Sequence, residues 1–502
     1  MEIRRSTKNI SYGDGLRNAG IVLCLLAGAC ILGFAVISAG ATSTTQTFAI
    51  GGIFIALLAG AIAFILEIPM IGLVRYAFIG SFFFKGDLNL FKINEVEDPS
   101  GLNISLTLVM GVILFVYELN NGKSRERVFP PVFKFFAAAL FVCAAASVLT
   151  NGATMLGGFS LFSFVSTLFL AYVTALHFSR RDRLIQLVIG IAAGLVFTGL
   201  VSASQYFADF PTNLANLGTG TEDELLGTQS QLLSRVPAFM RTPTEMAWVV
   251  SSLTPLILAP LLCRVREITP TQKILLAVGV IAGTVAAILS LARGSWIGLV
   301  IGIVLLVAFG WYKLAASERK SYFISVFFGL CLTAVLLVPF ATRIYDRLTE
   351  DDQGSALIRV PLMETALRMI DDNPLAGVGM NGYRTNMTRY DETGMFVSQV
   401  FPNPVHNIFA HITAEIGVPG GIFFCLLILY AIYECFKVMG SNDRLLAALA
   451  LGLGICLIVF VISGTKEPGS LGSVRPPIRT CFLLIGTILG LGLVHRRTLS
   501  NG

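Results

Sequence analysis

The chain is poor in charge: lysine, arginine, aspartate and glutamate supply 13% of its 502 residues, where a soluble domain carries about 25%. That shortage excludes an ordinary water-soluble globule. Gly/Ser-rich and Pro-rich linkers are missing and no repeat of fixed period stands out, which argues against a tethered soluble domain or a solenoid. The nine cysteines include no CxxC pair, and all fall within or at the ends of apolar stretches. They read as small core residues rather than disulfides or metal ligands. No GxSxG elbow, paired Cys-His signature or GxxxxGK[ST] loop occurs, so neither a nucleophilic triad nor nucleotide use is indicated. Histidine is scarce too. Of the four in the chain, His406 and His411 sit together in HNIFAHITAEIGVPGG.

What fills the chain instead is hydrocarbon. Hydrophobic residues make up 55% and mean hydropathy is +0.78. Apolar runs of about 20 residues, enough to cross ~30 Å of lipid as a helix, recur from Arg17 to the C-terminus. The expected fold is all-α: a polytopic membrane bundle of about 12–14 transmembrane helices, with a large periplasmic loop containing short helices. Spans are expected near 18–40, 48–66, 69–85, 102–119, 130–150, 157–177, 184–204, 246–263, 273–291, 295–312, 321–340, 408–434, 444–463 and 478–495. The first apolar stretch is long and begins this series, so it reads as a span and not as a cleaved signal.

Basic residues near span ends favour the cytoplasm. Arg4, Arg5, Lys8 and Arg17 place the N-terminus inside, and counting onward every compact basic cluster, from Lys123/Arg125/Arg127 to Arg496/Arg497, lands on that side. The span at 69–85 contains Arg75 but is retained, because its removal would put the later clusters outside. Two extended polar segments, roughly 205–245 and 341–407, then face outward. Both use arginine and no lysine. Arginine pairs with the many acids there, and it also offers phosphate a planar fork that lysine cannot match.

Within 341–407, Ile358, Leu362, Ala366 and Ile370 recur at i+4 as an apolar helical stripe, with Pro361 suited to the first turn. DNPLAGVGMNGY follows with the Pro and Gly density of a chain turning tightly. Arg241, Arg293 and Arg359 each stand where an apolar segment meets the outer surface. An arginine at such a boundary commonly just snorkels, but Ala292, Gly294 and Ser295 leave Arg293 open to close approach. His406, placed at a helix start after Pro402, Asn403 and Pro404, would be kept neutral by the helix dipole. His411 lies ~140° further round the helix, so a two-histidine metal site is disfavoured and no metal is expected. Glu245, beside Arg241, suits an ion-pair partner for an arginine or a second base.

LARGSWIGL, NPLAGVGMNGY and PVHNIFAHITAEIGVPGG, in that order, resemble the signature of the bacterial O-antigen ligase and O-antigen polymerase superfamily over roughly 240–435. His406 with Gly417 fits the His-x10-Gly of its ligases, while Met363 stands where their Arg-x3-Leu would follow Arg359 with leucine. The resemblance implies a membrane glycosyltransferase without cofactor. Its donor would be an undecaprenyl-pyrophosphate-linked glycan, and its acceptor lipid A core or a growing lipopolysaccharide or exopolysaccharide. It would work as a multi-pass protein of the bacterial inner membrane with its site facing the periplasm. It further implies that Arg293 and Arg359, with Arg241, hold pyrophosphate, that His406 assists the acceptor hydroxyl, and that Glu245, Tyr383 and Asn407 contribute to substrate binding. The expected organisation is 1–240 for N-terminal helices and the first outer loop, 241–437 for a catalytic region containing the loop 341–407, and 438–502 for C-terminal helices. A polytopic transporter or lipid-linked glycan flippase is the alternative. It would want polar residues at mid-bilayer, whereas the polar material here gathers on one face.

Overall fold

The computed structural model describes residues 70–85, 87–92, 101–121, 128–152, 154–207, 235–313, 316–349, 355–473 and 475–500. The expected spans near 18–40 and 48–66, the basic cluster Lys123/Arg125/Arg127 and most of the first outer loop lie outside the described residues. Two compact units divide the chain, Met1–Ala77 with Asn216–Glu222 and Phe78–Ala215 with Asp223–Gly502. In the first, 70–77 are described and form most of α1 (Met70–Gly80).

The second unit is almost wholly helical. After β1 (Asp87–Lys92) and β2 (Gly101–Ser105) come α2 (Leu106–Asn120), α3 (Pro131–Thr150), α4 (Met155–His177), α5 (Arg181–Phe207), α6 (Pro243–Leu262), α7 (Pro270–Leu289), α8 (Arg293–Lys313) and α9 (Ala316–Leu337). They are followed by α10 (Ala341–Thr349), α11 (Ser355–Asp372), α12 (Tyr383–Tyr390), α13 (Val397–Val400), α14 (Ile408–Met439), α15 (Arg444–Gly464) and α16 (Pro476–Ser500). Among the described residues nine helices are long and apolar enough to cross a membrane: α3 to α8 and α14 to α16. The all-α polytopic fold class holds.

Several boundaries depart from the sequence reading. The expected span at 69–85 is a shorter apolar helix, α1 extended by a 3-10 turn at Ser81–Phe83. The span expected from 102 begins instead with β2, whose alternating burial marks a strand. β2 pairs antiparallel with β1 through a bulge between Asn89 and Phe91. Buried Arg479 in the first turn of α16 holds this hairpin, 3.3 Å from Asp87 and donating to Thr107 Oγ1 at 3.2 Å. Pro361 is also not in the first turn of its helix, since α11 starts at Ser355.

Burial separates centre from rim. In α16 and α6, 89% and 83% of the apolar stretch is buried, against 28% in α3. The outer helices turn Phe135, Val142, Leu149, Phe197, Leu200 and Val304 outward, as a lipid-facing surface does. Small residues let the inner helices touch backbone to backbone. A Cβ on Gly486 would lie 2.5 Å from the Ala171 carbonyl oxygen, and one on Gly199 would lie 2.7 Å from that of Ala282.

The two ends of this bundle differ in kind. At one end Arg181 bonds Asp443 and Glu267, Arg444 pairs with Glu318 at 3.0 Å, and Arg497 donates to the Ser179 carbonyl. Beside them a fully buried cluster joins three helices: Glu118 of α2 accepts from Arg183 of α5 and lies 2.8 Å from His177 Nδ1 of α4. Removing one member of a buried ionic set strands the others. Glu118→Ala is therefore expected to cost about 3–5 kcal/mol, read as a large fall in melting temperature in detergent with little effect on any chemistry at the opposite end.

Candidate functional site

The other end is where α6, α8, α14 and α16 begin and α15 finishes. Each approach to it is held by a specific local device. Thr242 caps α6 by accepting from Glu245 N at 3.2 Å, and Pro243 supplies a first residue with no N–H to satisfy. The preceding segment is pinned by Gln205, which accepts from Ala238 N and donates to Ala238 O, and by Arg235, whose Nε donates to the Ser290 carbonyl at 2.9 Å. Ala238 and Leu291 there adopt left-handed backbone, with φ of 50° and 55°, strain of the kind that gathers at functional sites.

α14 explains the GVPGG motif. It is two helices joined at Gly417, whose φ of 78° and ψ of 168° are not helical. Pro419 has no N–H to give the Glu415 carbonyl, so the break frees backbone groups inside the bundle that need partners. The NPLAGVG segment after α11 provides them. Val378 N donates to Ala414 O at 2.8 Å, Gly379 N to Glu415 O at 3.1 Å, and Val418 N to Pro374 O at 2.8 Å. Ser147 adds a hydrogen bond to Glu415 O at 2.6 Å. The expected span 408–434 is thus a broken helix, and the loop that looked like a series of turns fills its gap. Gly377, Gly379 and Gly382 are spaced as GxGxxG, but they lie against this break and do not connect a strand to a helix, so the spacing carries no dinucleotide site here.

His406 stands just before α14, not inside its first turn, because Asn407 is the cap: its Oδ1 accepts from Phe409 N and Ala410 N at 3.0 and 3.1 Å. The imidazole stacks on Phe401 with centroids 6.0 Å apart, and Nδ1 is buried without a hydrogen-bond partner among the described residues. Burial first, and then the positive charges of Arg359 and Arg475 and neighbouring His411, push its pKa down to about 4. The expected neutral form is found, but its causes are burial and two guanidinium groups; no helix-dipole argument is needed.

Arg359 lies on the exposed face of α11 and its charge acts on His406, while Leu362 and Ala366 of the expected stripe are buried on the other face together with Met369. Glu245 is buried at the start of α6 and, as an ion-pair partner for an arginine, lies 3.5 Å from Arg475. Arg241 stands one residue before the α6 cap and Arg293 opens α8. The next residue, Gly294, packs on the alkyl chain of Lys466, whose Cδ would be 3.0 Å from an added Cβ. Tyr383 and Asn407, expected to meet substrate, both make fold contacts: Tyr383 Oη donates to the Leu362 carbonyl at 3.2 Å and its ring lies edge-on to His411. His411 is engaged in turn, with Nε2 3.3 Å from Glu415 Oε1, while Ser470 donates to the other carboxylate oxygen.

Lys466, Glu467, Ser470 and Arg475 come from the segment between α15 and α16. The expected organisation puts that stretch among the C-terminal helices of 438–502, while the candidate site residues all lie between 241 and 407. It is short, but TKEPGSLGSVR gathers charge between two strongly apolar spans, a signal that was available. Glu467 carries the clearest perturbation. Burial raises its pKa to about 7, with Arg359 and Arg235 opposing, Glu245 adding to the rise, and a hydrogen bond with Thr244 opposing again.

A polytopic helical membrane protein with arginines and carboxylates gathered on an imidazole at one end of the bundle is the class that fold and site define. Residues 278–425 match the family described as O-antigen ligase. Over that segment the chain is similar to an O-antigen ligase domain, which supports an O-antigen ligase-type membrane enzyme. The match takes in Arg293, Arg359 and His406; Arg241, Glu245 and the 465–475 segment fall outside it. No curated protein matches the chain.

Proposed function

We propose that the protein transfers a glycan from undecaprenyl pyrophosphate to a sugar hydroxyl at the periplasmic face of the inner membrane, as an O-antigen ligase or a polymerase of O-antigen or exopolysaccharide. The observation that carries this is a neutral imidazole with an unpartnered ring nitrogen, faced by Arg359 and Arg475, within the matched domain. A lipid pyrophosphate is already an activated leaving group, so the reaction needs its departing charge stabilised. Preorganised guanidinium groups in a partly dry cleft do this. Arg359, Arg293 and Arg241 are the proposed pyrophosphate ligands, with Glu245 keeping Arg475 in place. His406 stays neutral down to about pH 4 and can accept a hydrogen bond from the attacking hydroxyl. Basic clusters at the far end of the bundle support a cytoplasmic position for that end, which in this reading turns the site to the periplasm.

Disruption in the host, with lipopolysaccharide and secreted polysaccharide run on gels, tests the reading and sorts its forms. Uncapped core with accumulated lipid-linked polymer means ligase. A single repeat unit on the core means O-antigen polymerase. Unchanged lipopolysaccharide with missing secreted polymer means an exopolysaccharide system. No change in either would remove the proposal. His406→Ala and Arg293→Ala are each expected to lower transfer by at least ~10² while the protein still inserts normally. Arg293→Lys should stay impaired, because lysine cannot present a bidentate fork. Full activity in Arg293→Lys would exclude bidentate contact.

A further inference from the structure

The first turn of α8 carries Arg293, and a second element reaches it. Glycines let α15 lie close along α8: a Cβ on Gly302 would be 2.6 Å from Val459 Cγ2, and one on Gly298 would be 3.1 Å from Ser463 Oγ. That packing brings the end of α15 to the start of α8. The chain then turns, with Lys466 N donating to the Ser463 carbonyl at 3.0 Å, and the lysine lays its stem across Gly294. Its Cδ, Cβ and Cγ would be 3.0, 3.5 and 3.8 Å from a Cβ at that glycine.

This contact fixes where the charge stands. Two covalent bonds carry the ammonium ~2.5 Å beyond Cδ, so Nζ lies within about 6 Å of the Gly294 Cβ position, on the residue next to Arg293. Lys466 is half-buried, and its ammonium has no hydrogen-bond or ion-pair partner among the described residues. Two cations from separate elements thus share the first turn of a 21-residue helix, whose own N–H groups and dipole favour negative charge there. The segment that carries the lysine also abuts the start of α14, where a Cβ on Gly469 would lie 3.0 Å from Ile408 Cδ1. Ile408 is two residues past His406.

We propose that Lys466 is a further ligand of the donor's pyrophosphate, a point charge beside the fork of Arg293; this deepens the transfer reading above and rests on it. The two side chains suit different parts of one diphosphate. Guanidinium grips a pair of oxygens in its plane, while ammonium offers three donors that turn to whichever oxygen is near.

The experiment uses the full chain in phosphatidylcholine vesicles. Calorimetry measures the affinity for inorganic pyrophosphate, and the transfer assay gives KM for donor and acceptor separately. Lys466→Met keeps the stem on Gly294 and removes the charge, and Lys466→Arg restores a cation; thermal unfolding confirms that each variant is folded. Expected is a fall in pyrophosphate affinity of about 10–100-fold in Lys466→Met, with donor KM raised by a similar factor and acceptor KM unchanged. Lys466→Arg should recover most of that loss. In Arg293→Ala/Lys466→Met the combined loss should depart from the product of the single losses by about threefold or more, because both cations act on one ligand. Should Lys466→Met fail to fold, Lys466→Gln takes its place in the same measurements. Wild-type pyrophosphate affinity in the uncharged variant, the result if the lysine meets phospholipid headgroups instead, overturns the assignment while leaving transfer standing. So does an arginine variant as weak as the methionine one, or independent losses in the double variant. Wild-type protein that neither binds pyrophosphate nor transfers glycan overturns both.

Discussion

Arg359→Ala is expected to lower glycan transfer by about 10²–10³-fold and to raise the pKa of His406 in the same protein. The two effects have one origin. Arg359 sits on the exposed face of α11, anchored by a buried Leu362, Ala366 and Met369 stripe, and its charge acts on both His406 and Glu467. Guanidinium favours the ionised carboxylate and the neutral imidazole. Removing it moves both groups upward: His406 back from about 4 toward its ordinary range, and Glu467 above about 7. Kinetics measure the first effect, and proton NMR of the histidine ring across pH measures the second. A normal rate with an unmoved His406 titration would show that Arg359 does not face the site. Because α11 is held by its opposite face, the melting temperature should change little, and a large fall would mean that the loss was structural.

The largest effect on folding is expected from Gly417→Ala. At φ 78° any side chain is strained, and here the added Cβ would also lie 2.3 Å from the Leu375 carbonyl oxygen, which is backbone and cannot rotate away. Opening that contact breaks the Val418–Pro374, Gly379–Glu415 and Val378–Ala414 hydrogen bonds, leaving polar groups unsatisfied in the bundle. The expected cost is at least ~3 kcal/mol, seen as loss of monodisperse protein after detergent extraction and a steep fall in melting temperature. Gly377→Ala should behave alike, since its Cβ would meet the Glu415 carbonyl carbon at 2.4 Å from the other side of the same joint. Wild-type stability in Gly417→Ala would mean the helix is not broken there.

Arg293, Arg359, Glu245 and His406 stood out in the sequence because each is a polar residue near the end of an apolar segment. Gly417 was legible as half of a spacing. Its reason was not, because a φ of 78° and a carbonyl at 2.3 Å are properties of two segments meeting. The fold contacts of Tyr383 and Asn407 were hidden for a related reason. A hydroxyl or an amide near a site looks the same in sequence whether it meets a ligand, a helix end or a carbonyl, and here Asn407 caps α14 and Tyr383 bonds Leu362. The 465–475 segment escaped notice because length was used as the measure of a loop's importance.

Composition and periodicity alone determined that this is a many-span helical membrane protein with two polar segments that carry arginine and no lysine, since hydropathy and helix length obey the thickness of lipid and need no partner. Which charges meet was left to the tertiary structure. Arg475 reached Glu245, and the charges of Arg359 and Arg475 came to act on His406, because α6, α11, α14 and the link between α15 and α16 converge at one end of the bundle, and a pKa belongs to the surroundings a chain builds rather than to the residue it contains.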